Sequence, residues 1–357
     1  MKVRTVFAAS LFIVLASVTP CALAEGVPKT IMVQSGPAGI AYDSGAGELF
    51  VVNGIPGTAS IISDSNLKVV GSADLGVHSL SAAYDSGKGE VFVTNNLSNN
   101  VSVIFDRTGT VVATIPVGSD PFGIAYDSGK GEIFVANGVS NNVSVISDSN
   151  NQVVATIGTG NTPYAVAYDK AKGEIFVTNM GDGTVSVISD SNNQVVSTVS
   201  VGSGPNGIAF DSGKGEAFVA NSGDNTVSVI SDSNNQVVST VSVGKDPDAA
   251  AYDSKRGEVF VANYRSSTVS VISDSTDKVV ATEPAGKGPS AAAYDPATGK
   301  VFVVNLSSNN VSVIPDTSVV PAPEFPQGSF AVLAASAALL PILVLWGRRF
   351  SGSLVPA

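Results

Sequence analysis

Two series of aspartates recur at a fixed interval of 42 residues: Asp43, Asp85, Asp127, Asp169, Asp211, Asp253 and Asp295 in one, Asp64, Asp106, Asp148, Asp190, Asp232, Asp274 and Asp316 in the other. Oxygen ligands at this density could bridge calcium. Each position is also one where a turn favours an Asx side chain, with Lys88, Lys130, Lys172, Lys214 and Arg256 close by in sequence. Turn formation and solubility therefore account for both series, and no metal site is assigned. Other positions vary from unit to unit: Ala38, Leu80, Phe122, Tyr164, Asn206, Asp248 and Ser290, and again Gly54, Asn96, Gly138, Met180, Ser222, Tyr264 and Leu306. Variation on a constant frame is where a private binding site can be written. Phe122, Tyr164, Asp248, Tyr264 and Arg265 form the most ligand-like set, aromatic surface beside charge. Drift of loop residues is the competing explanation.

Catalytic chemistry has little to draw on. His78 is the only histidine, so a His-ligated haem, a histidine-rich zinc site or a Ser-His-Asp triad has one candidate at most. No unit departs from the repeat as an active site would demand, and no cofactor is implied. Carboxylates gathered in a channel stay open as an alternative chemistry. Asn96, Asn100, Asn142, Asn305 and Asn310 each begin an Asn-x-Ser triplet, a candidate glycan acceptor in an exported chain.

The elements that position these residues follow from the repeat. An aromatic-Asp pair begins at Tyr42, Tyr84, Tyr126, Tyr168, Phe210, Tyr252 and Tyr294, each 42 beyond the last, with no insertion or deletion. A period of about 40 to 45 residues containing short apolar strands is the pattern of a β-propeller blade. In the fourth unit, residues 164–169, 174–179, 184–189 and 194–199 alternate or run apolar between turn residues, which predicts four antiparallel strands. The expected fold is all-β: a seven-bladed β-propeller of four-stranded antiparallel blades spanning 27–320.

The ends of the repeat predict how the ring closes. Residues 27–31 align with 153–157, a fourth strand lacking its own first three, while the last unit loses its fourth strand at Pro321. Residues 29–33 are therefore expected to pair with the strand around 311–314.

Beyond the repeat lie targeting signals. Lys2 and Arg4, the apolar run 6–18 and Ala22-Leu23-Ala24 predict a signal peptide at 1–24. A lipoprotein reading of Cys21, the only cysteine, is opposed by Pro20; removal of the leader would leave no thiol chemistry. Residues 330–346 are apolar and precede Arg348 and Arg349, which predicts a transmembrane anchor helix with 347–357 as a basic cytoplasmic tail. An apolar C-terminal segment broken by Pro341 is the competing reading. Between ring and anchor, 321–329 is a Pro-rich spacer containing Pro323, Glu324, Phe325 and Pro326. With a net charge of -11 the chain lacks the basic footprint that nucleic acid needs.

Phe92-Val93-Thr94-Asn95 and Phe176-Val177-Thr178-Asn179, with Phe-Val-Ala-Asn beginning at Phe134, Phe218 and Phe260 and Phe-Val-Val-Asn at Phe50 and Phe302, resemble the signature of the YVTN family of β-propeller repeats, with Phe in place of its Tyr. The order Pro-Glu-Phe-Pro, apolar helix, basic cluster is similar to archaeosortase sorting signals. These resemblances imply an archaeal, surface-layer type protein whose anchor helix is removed and replaced. Related propellers include haem- and quinone-dependent oxidoreductase domains, so the family resemblance assigns no activity. The expectation is a non-catalytic binding, adhesion or envelope-structural module on the outer face of the cell membrane, meeting a glycan or protein of the envelope. The alternative is an extracytoplasmic enzyme or redox-associated propeller with a ligand in the central channel. A channel lined by Ala, Gly and Ile would favour the first, and converging polar side chains the second.

Overall fold

The fourth unit folds as Pro163–Asp169, Glu174–Asn179, Thr184–Ser189 and Gln194–Ser200, hydrogen-bonded antiparallel in that order. The structure, a computed structural model, describes residues 28–314, and these form seven such four-stranded sheets. First strands of successive sheets contact one another all the way round, Pro289–Asp295 meeting Pro37–Asp43, so the sheets are blades about a channel. Among the described residues no helix is long and apolar enough to cross a membrane. The segments 1–24, 321–329, 330–346 and 347–357, with Pro323, Glu324, Phe325, Pro326 and also Asp316, lie outside the described residues.

The hydrophobic core lies between blades rather than within them. Phe50, Val52, Ala59 and Ile61 of blade 1 pack on Val91, Val93 and Ile104 of blade 2, and the pattern recurs at each junction. Alternation places every second residue of a strand on each face, so a blade presents two apolar faces and needs two neighbours. The signature Phe is fully buried in six blades and 4% exposed at Phe260.

The signature Asn does a different task. Asn179 Nδ2 donates to Thr184 Oγ1 at 3.0 Å and to Ser186 Oγ at 3.0 Å, and Asn95, Asn137, Asn221, Asn263 and Asn305 repeat this with the corresponding third-strand residues. The Ser of Val-Ser-Val-Ile therefore satisfies a buried amide as well as keeping the blade faces narrow.

At the channel's other end the first Asp series closes the turn between strands one and two. Asp43 Oδ1 accepts from the backbone N–H groups of Gly45 and Ala46 at 2.8 and 3.0 Å, and Gly47 adopts φ +68°. The next blade's tyrosine reaches into this turn: a Cβ at Gly45 would lie 2.7 Å from the Tyr84 hydroxyl. Tyr84 meets Asp43, Tyr126 meets Asp85, Tyr168 meets Asp127, Tyr252 meets Asp211, Tyr294 meets Asp253 and Tyr42 meets Asp295, and these contacts, after burial, raise every one of the phenols. Asp169 has no such neighbour, because Phe210 stands there and stacks on Phe176 with centroids 5.8 Å apart. Burial holds the Asp169 carboxyl above its ordinary range against the pull of the Ala171 and Lys172 amides, and Asp232 adds to the rise.

Closure occurs through the predicted clasp. Lys29–Met32 pairs antiparallel with Asn310–Ile314 in the register Lys29↔Val313 to Met32↔Asn310, completing the last blade. Ile31 is 6% exposed and joins Val304 and Val311 of that blade and Leu49 and Val51 of the first in one core cluster.

Ile31→Ala should lower the unfolding free energy by about 2 kcal/mol or more, whereas exposed Thr30→Ala should change it by less than about 0.5 kcal/mol, as read from denaturant melts. Loss of residues 27–33 should abolish a single cooperative transition. Phe210→Tyr should supply the missing donor to Asp169 and raise stability by about 1 kcal/mol, measurable as a higher melting temperature; Ala297 opposite Tyr42 shows that a Cβ in the facing turn is compatible with the hydroxyl.

Candidate functional site

The varying series that begins at Ala38 occupies the second position of each first strand, rather than the loop before it. Pairing with the second strand breaks register at this point, between Pro121 and Ile124, Pro163 and Val166, and Pro247 and Ala249. A bulge re-aims a side chain. Ala38, Leu80, Phe122, Tyr164, Asp248 and Ser290 accordingly line one cavity of about 540 Å³ at the channel mouth, above a layer of Ile40, Ile124 and Ile208. Glycine lets the inner strands crowd together here: a Cβ at Gly123 would stand 2.4 Å from the Tyr164 carbonyl oxygen.

The wall changes character around the ring. On one side the rings of Phe122 and Tyr164 lie with centroids 4.8 Å apart and planes at 31°. Phe122 rests on Gly138, where a Cβ would come within 2.5 Å of its ring. On the other side Asp248 Oδ1 accepts from Asn206 Nδ2 at 2.8 Å, and Asn206 itself does not line the cavity. Asn206 Oδ1 and Ser290 Oγ are buried with no hydrogen-bond partner. Burial pushes the Asp248 carboxyl up to about 6, against the Asn206 hydrogen bond and with help from the Asp246 charge. Burial likewise raises the Tyr164 phenol, with Asp248 adding to it.

Two positioning residues come from the signature itself. Thr94 Oγ1 donates to the Phe122 carbonyl at 2.8 Å and Thr178 Oγ1 to the Asn206 carbonyl at 2.9 Å, each bonding the backbone of a site residue on the next blade. Only these two units read Phe-Val-Thr-Asn; the others carry Ala or Val. That departure was the available signal, and sequence reasoning treated it as part of the repeat.

The structure brings together Phe122, Tyr164 and Asp248 and separates Tyr264 and Arg265 from them. Arg265 Nε donates to Asp246 Oδ2 at 3.0 Å, and its side chain is 76% exposed. Tyr264 packs over Gly288 and does not line the cavity. His78 lies at the cavity edge, exposed, in a left-handed conformation with φ +59°. The lining thus mixes both outcomes that were distinguished from sequence: Ala, Gly and Ile form its floor, while Tyr164, Asp248 and Ser290 add polar atoms to one arc.

Two of the candidate glycan acceptors are buried. Asn305 is fully buried and its Nδ2 donates to Asn310 Oδ1 and Ser312 Oγ, and Asn96 is 5% exposed with its Nδ2 donating to Asp120 Oδ1. Asn100, Asn142 and Asn310 are half-buried at the starts of third strands.

At the opposite end the aspartates serve the turns and one another. Asp148 faces Asp85, Asp190 faces Asp127 and Asp274 faces Asp211; burial, then these neighbours, raise the first-named carboxyls, while Lys88, Lys130 and Lys214 oppose the rise. Glu48, Glu90, Glu132, Glu174, Glu216 and Glu258 are also raised, by burial first. Among the described residues no group of three or more His, Cys, Asp or Glu side chains is arranged to hold a metal ion.

No family model matches the chain, and no curated protein matches it. Among solved structures, Kuenenia stuttgartiensis hydrazine synthase is similar, with a TM-score of 0.72 at 20% identity over 80% of this chain and 96% of that one. At this identity the likeness is one of fold, a seven-bladed propeller.

Raised carboxyls bind protons more readily folded than unfolded, so their stabilisation is complete below the ordinary carboxylate range and is lost as pH rises through the folded values. Asp295, whose carboxyl is lowered overall, works in the opposite sense at acid pH. The melting temperature should therefore fall between pH 5 and pH 8, and a flat or rising profile in calorimetry would contradict this balance.

Proposed function

We propose that this chain is an exported, surface-anchored propeller that acts as a non-catalytic binding, adhesion or envelope-structural module, with its specific contact at the channel mouth. One observation carries the reading. On a frame whose turns, signature Asn and interblade core repeat blade after blade, six of the seven varying residues at the second position of the first strands line a single cavity, with a tilted aromatic pair on one arc and an amide-held carboxylate on the other. Export and anchoring rest on residues 1–24 and 330–346, the Pro-Glu-Phe-Pro run at Pro323 and the resemblance to YVTN repeats. The partner is a glycan or protein of the cell envelope, and Asn100, Asn142 and Asn310 are the remaining glycan acceptors.

A second reading, an extracytoplasmic enzyme with a ligand in the channel, draws on the Asp248 carboxyl, pushed up to about 6 within a cleft. The bond from Asn206 supports the first reading instead, because it holds Asp248 as a fixed acceptor.

The full-length protein, screened against envelope glycans and extracts, should lose at least tenfold in affinity with Phe122→Ala combined with Tyr164→Ala, while Tyr264→Ala changes affinity less than twofold. Undiminished binding by the double variant, or chemical conversion of a bound component, would overturn this assignment.

A further inference from the structure

We infer that the cavity at the channel mouth binds a small organic cation, a protonated amine with an apolar body, its ammonium group taken by Asp248 and Ser290 and its body laid against Phe122 and Tyr164. The inference rests on the reading of the channel mouth as a binding site and names the chemistry of its ligand.

The polar atoms of the cavity are biased toward accepting. Asp248 offers a carboxylate, and one of the Asn206 donors is already spent on it at 2.8 Å. Ser290, on the blade beyond Asp248, also lines the cavity and brings a hydroxyl oxygen that is buried and unpartnered. A buried acceptor without a donor costs free energy, so a ligand rich in N–H groups is what this arc lacks. No lysine or arginine lines the cavity among the described residues, and the nearby Arg265 is turned outward onto Asp246.

The remaining wall selects the rest of the ligand. Phe122 and Tyr164 present aromatic faces, which attract a cation electrostatically and cover an apolar body. Leu80 and Leu306 extend that surface. A volume of about 540 Å³ is in the range of small-molecule sites.

The same features disfavour the competitors. An anion would meet the Asp248 carboxylate with no lysine or arginine in the wall to offset it. A bare divalent ion requires about six to eight oxygens, and half of this wall is hydrocarbon. Burial also makes a lone carboxylate costly, and a bound ammonium offsets that cost by pairing with it.

The test compares phenethylammonium with its neutral analogue phenethyl alcohol and with phenylacetate, titrated calorimetrically into the full-length protein at pH 7.5. The amine should bind at least tenfold more tightly than the alcohol, and phenylacetate should bind more weakly than either. Asp248→Asn should erase the preference by bringing the amine down to the level of the alcohol, and Tyr164→Ala should weaken both ligands. Lowering the pH from 7.5 to 5 should weaken amine binding alone as Asp248 takes up a proton. The titratable and charged groups near Asp248 are Tyr164, Asp246 with its partner Arg265, and rim His78, so the pH series is repeated in His78→Gln, where the loss should persist.

Equal binding of amine and alcohol, a preference that survives Asp248→Asn, or selective uptake of phenylacetate would each overturn the inference. If Asp248→Asn does not fold, the wild-type ligand comparison and its pH dependence still decide. Loss of glycan binding in the Phe122 and Tyr164 variant without any amine preference would remove only the ligand class. An amine preference accompanied by conversion of the amine would remove only the non-catalytic reading.

Discussion

Each blade has two apolar faces and no core of its own, and the rest of the molecule depends on this. Phe50 and Ile61 are buried only because Val91 and Ile104 of the next sheet lie against them, and the same debt passes from junction to junction. A linear stack would leave two faces bare. The ring resolves this by meeting itself, with Leu49 and Val51 of the first blade in one cluster with Phe302 and Val311 of the last. The junction is completed by Lys29–Met32, a strand from the opposite end of the chain, so covalent order and spatial order differ where closure is needed.

Polar groups then fix how the blades sit on one another. The signature Asn bonds the third strand within its own blade, while the turn Asp receives the tyrosine of the next. The first interaction keeps a sheet in register, and the second links neighbouring sheets away from the apolar core. Phe210 breaks the tyrosine series at a single junction, where aromatic stacking on Phe176 replaces the polar contact. Carboxylates crowded at that end are tolerated because turn amides and lysines share the charge, as with Lys172 and Asp232 at 3.2 Å.

At the channel mouth the frame imposes position and leaves identity free. Every first strand carries a bulge at this position, and ring geometry gathers six of the seven residues that follow it into one cavity. Thr94 and Thr178 hold the backbone beneath Phe122 and Asn206, so the aromatic and amide arcs are tied to the rigid second strands of the preceding blades. The outcome is an amphipathic cavity with Phe122 and Tyr164 from the third and fourth blades on one arc and Asp248 and Ser290 from the sixth and seventh on the other.

The propeller was legible in the residues because its determinants are local and repeated. Alternation marks strands, Asp and Gly mark turns, and an unbroken interval of 42 counts the blades; even the clasp could be read by aligning 27–31 with 153–157. The site was legible only in part. Phe122, Tyr164 and Asp248 stood out as variable positions, but Tyr264 and Arg265 share that variability and lie outside the cavity, and Asn305 resembles a glycan acceptor while being sealed in the interior. Spacing along a chain specifies which residues occupy equivalent places. Which of them face each other across a channel is decided by the aim of a bulge and the rotation from blade to blade, and those exist only once the ring has closed.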